Sequence, residues 1–467
     1  MEAATTRKLV DTLWDDSIVP ALTDYIRIPN QSPAYDKDWA TAGHMDRAVE
    51  LARAWVAEQA IPKSKLEVVR LPGRTPLLLL EVEGQRPGTV LMYGHLDKQP
   101  PFTGWNPGLG PWEPVYRDGK LYGRGGADDG YAVFASVAAI KALQAQGVPH
   151  PRIVAAIECS EESGSPDLPA YMKAYAERIG EPDLVVCLDS GAGDYERLWA
   201  TTSLRGLLAG DLRVDVLKHG VHSGDCSGVM PSSFRVIRQL LDRIEDAKTG
   251  RVLVESLHVP VPEERLAQAR HAAKVLGDAV WSKFAPVGGT RPMNEDVTEL
   301  ILNRTWRPTV SYTGAEGLPA LGNAGSVLRP YTTVRLSVRI PPHVDPRRAT
   351  ADLKAALTSD PPYGAKVTFD AEDGAWGWEA PATAPWLDAA MNAASEAHFG
   401  KPYAAIGEGG TIPFMPMLTH QFPKAQFLIT GVLGPESNAH GPNEFLHVPF
   451  AKRLTACVAD VLAAIPA

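Results

Sequence analysis

Cysteine is scarce. There are four in 467 residues, at Cys159, Cys187, Cys226 and Cys457, and no two form a C-x-x-C pair. That spacing offers neither a disulfide framework nor a thiolate metal site, and the thiols are expected to stay reduced. No apolar run approaches the ~20 residues needed to cross a bilayer. The opening stretch, MEAATTRKLVDTLWDD, has no basic segment leading into an apolar one, so no signal peptide is expected. Together these predict a cytoplasmic protein with no membrane partner. Basic blocks are missing as well. The net charge of -9 argues against nucleic acid as a partner. A phosphate-binding G-x-x-x-x-G-K-[ST] loop is absent, and GRGGADDG has an Asp where the dinucleotide spacing needs a Gly. A G-x-S-x-G nucleophile elbow is absent too, which removes the commonest serine-hydrolase reading.

What is there is a long, ordinary globular composition, for which two domains are the expected count. The first part alternates buried-strand and helix patterns. TVLMY (89–93), RIVAAI (152–157) and DLVVCL (183–188) read as buried strands, and DDGYAVFASVAAIKALQAQG (128–147) as a helix stopped by a glycine. Strands alternating with helices predict an α/β domain with a mainly parallel sheet. Near residue 205 the texture changes. LLAGDLRVDVLKHGVHSG and TTVRLSVRIPP (332–342) alternate every second residue, as half-exposed strands do. Long helical stretches such as PSSFRVIRQLLDRIEDAKTG lie between them. After about 380 the buried pattern returns, with a helix at PWLDAAMNAASEAHFG and a strand at AQFLITG (425–431). The expected organisation is therefore one α/β domain, 1–204 and 381–467, interrupted by an inserted α+β domain, 205–380.

Chemistry gathers at the C-terminal ends of the buried strands. After TVLMY stand His95 and Asp97; after RIVAAI the pair Glu161-Glu162; after DLVVCL Asp189; after AQFLITG the segment GPESNAHGPNE with His440. Asp128-Asp129 precede the long helix. Singly, each has an ordinary explanation. Asp-Asp before a helix caps it, a Glu-Glu pair faces solvent, and Asp189-Ser190-Gly191 makes a turn. In an open α/β sheet, however, ligands collect outside the carboxyl ends of the strands, so five segments bring imidazole and carboxylate to one edge. Those donors suit Zn(II), and also Mn(II) or Co(II). Two histidines with several carboxylates match two divalent ions bridged by one carboxylate.

YGHLDKQP, GRGGADDG, CSEESGSP, LDSG and NAHGPNE, in this order, resemble the motifs of the carnosinase-type dipeptidases. These belong to the di-zinc metallopeptidase family that also holds aminoacylase, carboxypeptidase G and succinyl-diaminopimelate desuccinylase. The resemblance runs over essentially the whole chain. It implies a zinc-peptidase catalytic domain with an inserted lid and dimerisation domain. By the same resemblance His95 and Asp189 hold one zinc, Glu162 and His440 the other, and Asp128 bridges both. Asp97 orients the His95 ring, and the Asp128-Asp129 peptide bond is cis. Glu161 is the general base, taking the proton from the attacking water and passing it to the leaving amine. In the insert, GVHSGDCSG carries His222, whose family counterpart stabilises the oxyanion from the lid of a partner subunit, so a homodimer is expected. NAGSVLRPYTTVRLSVRIPP resembles the segment that binds the substrate carboxylate, with Arg339 as the clamp and Asn323 and Ser326 beside it. GEGGTIP (407–413) resembles a loop in which Glu408 and the turn ending at Thr411 line the substrate site.

Some positions depart from the family pattern. The usual DDKG is DDGY here, Ser437 and Asn438 replace acidic residues before the last histidine, and ECSEE replaces the commoner EGxEE. None removes a proposed ligand; all bear on substrate preference. Three functions are consistent with these residues. The first is a hydrolase acting on dipeptides or similar small substrates with a free carboxylate. The second is an N-acyl amino acid deacylase with the same chemistry. The third is a non-catalytic homologue that binds peptides or amino acids, against which the presence of Glu161 weighs.

Overall fold

A computed structural model describes residues 1–466. The chain separates into two compact units. The first comprises Met1–Thr202, Ala380–Ile406 and the chain from Met417 onward; the second comprises Ser203–Glu379 and Gly407–Pro416. The stretch Gly407–Pro416, placed by sequence in the first unit, thus belongs to the second. The reason is local: Thr411 donates its hydroxyl to the Arg205 carbonyl at 2.6 Å and accepts from Arg339 at 2.9 Å.

The first unit is built on a six-stranded sheet. Its spatial order is Ser64–Val69, Leu77–Val82, Arg152–Glu158, Thr89–His95, Leu184–Cys187, Gln426–Ile429. The last four strands are mutually parallel; the first two pair antiparallel at one edge. The central strands are apolar on both faces and almost fully buried, the composition a parallel sheet requires. The helix Tyr131–Ala145 is also buried around most of its circumference, as expected of a helix with no wide polar face. Its N-terminal residues lie beside the Thr89–His95 strand. A Cβ at Gly94 would come within 2.6 Å of the Ala132 Cβ, so glycine permits that approach.

The second unit holds a four-stranded antiparallel sheet in the order Thr309–Glu316, Tyr331–Ile340, Gly206–Asp215, Lys366–Ala371. The two central strands alternate buried and half-buried residues along their whole length, as the period of two predicts. Leu208, Leu212, Leu336 and Val338 pack in one core with Ile237 and Leu240 of the helix Ser233–Leu241 and with Leu353 and Leu357 of the helix Pro346–Thr358. Both helices begin on a side-chain cap, Ser232 accepting from the Arg235 N–H and Asp345 from the Arg347 N–H. The first of them is shorter than its sequence predicts. After Leu241 the chain turns at Ile244 and forms a bridge between Glu245 and Val252. Arg243 there donates to the carbonyls of Ser359 and Asp360 instead of extending a helix face. Among the described residues, no helix is long and apolar enough to cross a membrane.

Candidate metal centre

His95 is the last residue of its strand, and Asp97 follows in the turn. The His95 Nδ1 lies 3.0 Å from the Asp97 carbonyl oxygen and 3.4 Å from its carboxylate. A proton on Nδ1 directed there leaves the Nε2 lone pair free to ligate a metal. That Nε2 is fully buried with no hydrogen-bond partner. The Asp97 carboxylate also accepts the backbone N–H groups of Glu161 and Glu162, at 3.0 and 2.9 Å. One side chain therefore positions both the first histidine and the turn Glu161–Ser163 that follows the Arg152–Glu158 strand.

Asp128 and Asp129 sit at the entry to the long helix with non-helical backbone angles, and the peptide bond between them is cis. Neither carboxylate caps that helix, whose N-cap is Gly130. Asp129 instead accepts the His95 N–H at 3.2 Å. The two oxygens of Asp128 face different histidines: Oδ1 is 3.4 Å from His95 Nε2, and Oδ2 is 3.0 Å from His440 Nε2. Asp189 approaches His95 Nε2 at 3.7 Å, and Glu162 approaches His440 Nε2 at 3.3 Å.

Two donor groups result, His95–Asp128–Asp189 and Asp128–Glu162–His440, each with its ligand atoms within 4.8 Å of one another. Asp128 belongs to both. Glu161 belongs to neither, although its carboxylate stands 3.9 Å from His95 Nε2.

The electrostatics of the cluster call for cations. Burial pushes Glu161 and Glu162 well above the usual carboxylate range, reinforced by the neighbouring carboxylates. Burial also lifts Asp189, to about 6. Asp128 moves the other way: the two imidazoles facing its oxygens, His440 and His95, outweigh its burial and hold it low. Four carboxylates in one dry pocket cannot all stay ionised unless positive charge is supplied. Two divalent ions would neutralise them, and the orphaned His95 Nε2 would gain a partner. The donor set therefore fits the expected pair of ions.

Supporting contacts were not apparent from sequence. Gln99 donates to the Glu162 carboxylate at 2.6 Å. Glu444 accepts from the Gly125 N–H and forms a fully buried ion pair with Arg124, while Arg124 also donates to the Gly441 carbonyl. The loop carrying His440 is thereby tied to the segment carrying Asp128. His440 itself is in the left-handed region, φ 63°, next to Gly441. All four partners lie inside the quoted motifs, but a pairing across some 320 positions has no local signature.

The other expected site residues lie in the second unit. His222 ends a two-residue strand, paired with Val327 of another, and is exposed. Ser326 adjoins it, its carbonyl accepting the Ser223 N–H at 2.9 Å. Asn323 closes an exposed turn at Leu321–Asn323. Arg339 and Thr411 are joined by the hydrogen bond given above. Glu408 ends the strand Ala404–Glu408.

A family model described as peptidase family M20/M25/M40 matches residues 91–464. Among curated proteins, a cysteinylglycine-S-conjugate dipeptidase of Corynebacterium striatum is 25% identical over 88% of this chain and 90% of its own length. The Cys-Gly metallodipeptidase DUG1 of Saccharomyces cerevisiae is 27% identical over 80% of this chain and 79% of its own. Among solved structures, the yeast dipeptidase Dug1p superposes with a TM-score of 0.76 at 21% identity, covering 99% of this chain and 98% of that one. Human carnosine dipeptidase 1 superposes with a TM-score of 0.75 at 22% identity, covering 99% of both chains.

Proposed function

Because the chain belongs to the peptidase family M20/M25/M40, we propose that it is a metal-dependent hydrolase cleaving the amide bond of dipeptides or similar small substrates with a free carboxylate. One observation carries this reading: two three-donor groups share Asp128, and Glu161 belongs to neither while its carboxylate stands 3.9 Å from His95 Nε2. His95, Asp128 and Asp189 would hold one divalent ion, and Asp128, Glu162 and His440 the other. Zn(II) suits these donors, as do Mn(II) and Co(II). Bound there, the ions would supply Lewis acidity toward the scissile carbonyl and lower the pKa of water.

The protein's own groups do the rest. Glu161 takes the proton of the attacking water and delivers it to the leaving amine. Asp97 holds the turn that aims Glu161, through the two backbone N–H groups. In the second unit, Arg339 would bind the substrate carboxylate bidentately, with Glu408, Ser326, Asn323 and Thr411 as further substrate contacts. His222 would stabilise the oxyanion of a partner subunit in a homodimer.

The dipeptidase names of the relatives favour peptides over N-acyl amino acids as substrates. The test is a panel of dipeptides, β-alanyl peptides and N-acetyl amino acids on protein reconstituted with zinc or manganese. Turnover of dipeptides supports the reading. Turnover of the N-acetyl compounds alone would make the protein a deacylase, and no turnover with either metal would leave a binding protein.

A further inference from the structure

The second unit contains three arginines that, among the described residues, make no ion pair with a carboxylate, with Lys283 and Glu408 in the neighbourhood of Arg304. Arg205 is 7% exposed, yet its guanidinium has only neutral partners: Nη1 donates to the carbonyls of Asn303 and Arg307 and to the Thr309 hydroxyl, at 3.1, 3.1 and 2.9 Å. Its Nε is buried and unpartnered, and so is the Nε of Arg304. Arg339 has one contact, Thr411, and Thr411 in turn donates to the Arg205 carbonyl. Among the described residues, none of the three arginines makes an ion pair with a carboxylate. Burial lowers the Arg205 guanidinium to about 9, with Arg339 and Arg304 adding repulsion.

The Gly409-Gly410 turn borders this group. A Cβ on Gly409 would stand 3.2 Å from Arg205 Nη2 and 3.3 Å from Arg304 Cγ, while a Cβ on Gly410 would meet nothing within 4 Å. Gly409 lets the turn pass close to Arg304, since a Cβ there would also come within 3.0 Å of the Arg304 carbonyl oxygen, and Gly410 beside it leaves open space. Like charges gathered in a partly dry place, with donors left over, are costly, and an anion that joins them offsets that cost. One guanidinium is enough for one carboxylate, since the pair is bidentate.

We propose that Arg205, Arg304 and Arg339 form a pocket for a dicarboxylate, so that the enzyme selects substrates whose C-terminal residue carries a second carboxylate, aspartate or glutamate. Arg339 takes the main-chain carboxylate, and Arg304, supported by Arg205, takes the side-chain one. The identity of the ligand as a peptide's C-terminal residue rests on the dipeptidase reading; the pocket itself does not.

Two measurements test it. The first compares kcat/KM for Ala-Glu with the isosteric Ala-Gln, and Ala-Asp with Ala-Asn, in wild type and Arg304→Gln. The wild type should favour the acidic member of each pair by about tenfold or more, the order a charge-assisted hydrogen bond gives. The ratio should fall toward one in the variant. The second needs no turnover: thermal shifts of the metal-free protein with glutarate or butyrate at matched ionic strength. Glutarate should raise Tm at concentrations where butyrate does not, and Arg304→Gln should abolish the difference. Equal response of the wild type to glutarate and butyrate, or equal kcat/KM for Ala-Glu and Ala-Gln, overturns the proposal. Selective glutarate binding without hydrolysis of any dipeptide would instead sustain the pocket and refute the dipeptidase reading.

Discussion

Glu161 and Glu162 are adjacent carboxylates with different surroundings. Glu162 accepts from Gln99 and belongs to a donor group with Asp128 and His440, whereas Glu161 belongs to none. On our account Glu161→Gln keeps near-normal metal content and lowers kcat by at least ~100-fold, the lower end for losing a general base. Glu162→Ala should lose one equivalent of metal, measured by elemental analysis after dialysis. Equal behaviour of the two variants would remove the division of labour between them. Every residue in the two donor groups was named from sequence: His95, Glu162 and Asp189 follow buried strands, Asp128 precedes a buried helix, and His440 stands in the loop NAHGPNE that carries the family resemblance. The outer contacts were not. The Asp97 contact with the His95 ring is expected from sequence, but its bonds to the Glu161 and Glu162 N–H groups are not, and Gln99 looks like an ordinary loop amide. Only the folded turn shows what they touch.

At the scale of elements, the buried pair Arg124–Glu444 is what holds the His440 loop to the Gly125–Asp128 segment. Glu444→Gln leaves Arg124 buried without its counter-charge. The expected cost is about 3–5 kcal/mol, the usual penalty for breaking a buried pair, read by urea unfolding, together with weaker retention of the metal at His440. A second element-level device is Glu158, the last residue of its strand, whose carboxylate accepts from Tyr93, Ser160 and Ser165. Burial, with help from Asp97, raises it to about 7. A carboxyl raised in the folded state is fully tolerated below its unfolded pKa of about 4.5 and opposes folding increasingly as pH rises to 7. Glu158→Gln should therefore flatten the stability profile of the metal-free protein between pH 4.5 and 7, with a difference from wild type growing to about 3 kcal/mol. Parallel profiles would show that the carboxyl is not raised. Strict alternation identifies the strands of the second unit, while the short apolar runs of the first read as strands because of their length and β-branched content. The Ser233–Leu241 helix ends earlier than its sequence predicts, and Arg243 just beyond it donates to the carbonyls of Ser359 and Asp360.

For the molecule as a whole, the change from buried runs to alternating strands near residue 205 marks the passage into the second unit. The return of residues 407–416 to that unit has no local sequence signal; its contacts, such as Thr411 with Arg205 and Arg339, are to residues far away in sequence. If His222 completes the site of a partner subunit, an inactive Glu161→Ala chain mixed with an inactive His222→Ala chain should regain activity toward about a quarter of wild type. Half of the dimers are then mixed, and each mixed dimer has one intact site. Activity that stays at zero despite demonstrated subunit exchange would place His222 in its own chain's site or outside it. The central claim is that hydrolysis requires both donor groups to be filled. It is tested most directly by titrating metal-stripped protein with zinc while following bound metal and dipeptide cleavage together. The account predicts binding that saturates at two ions per chain, with full activity only as the second ion binds. Saturation at one ion per chain, or full activity before any metal is added, would contradict it.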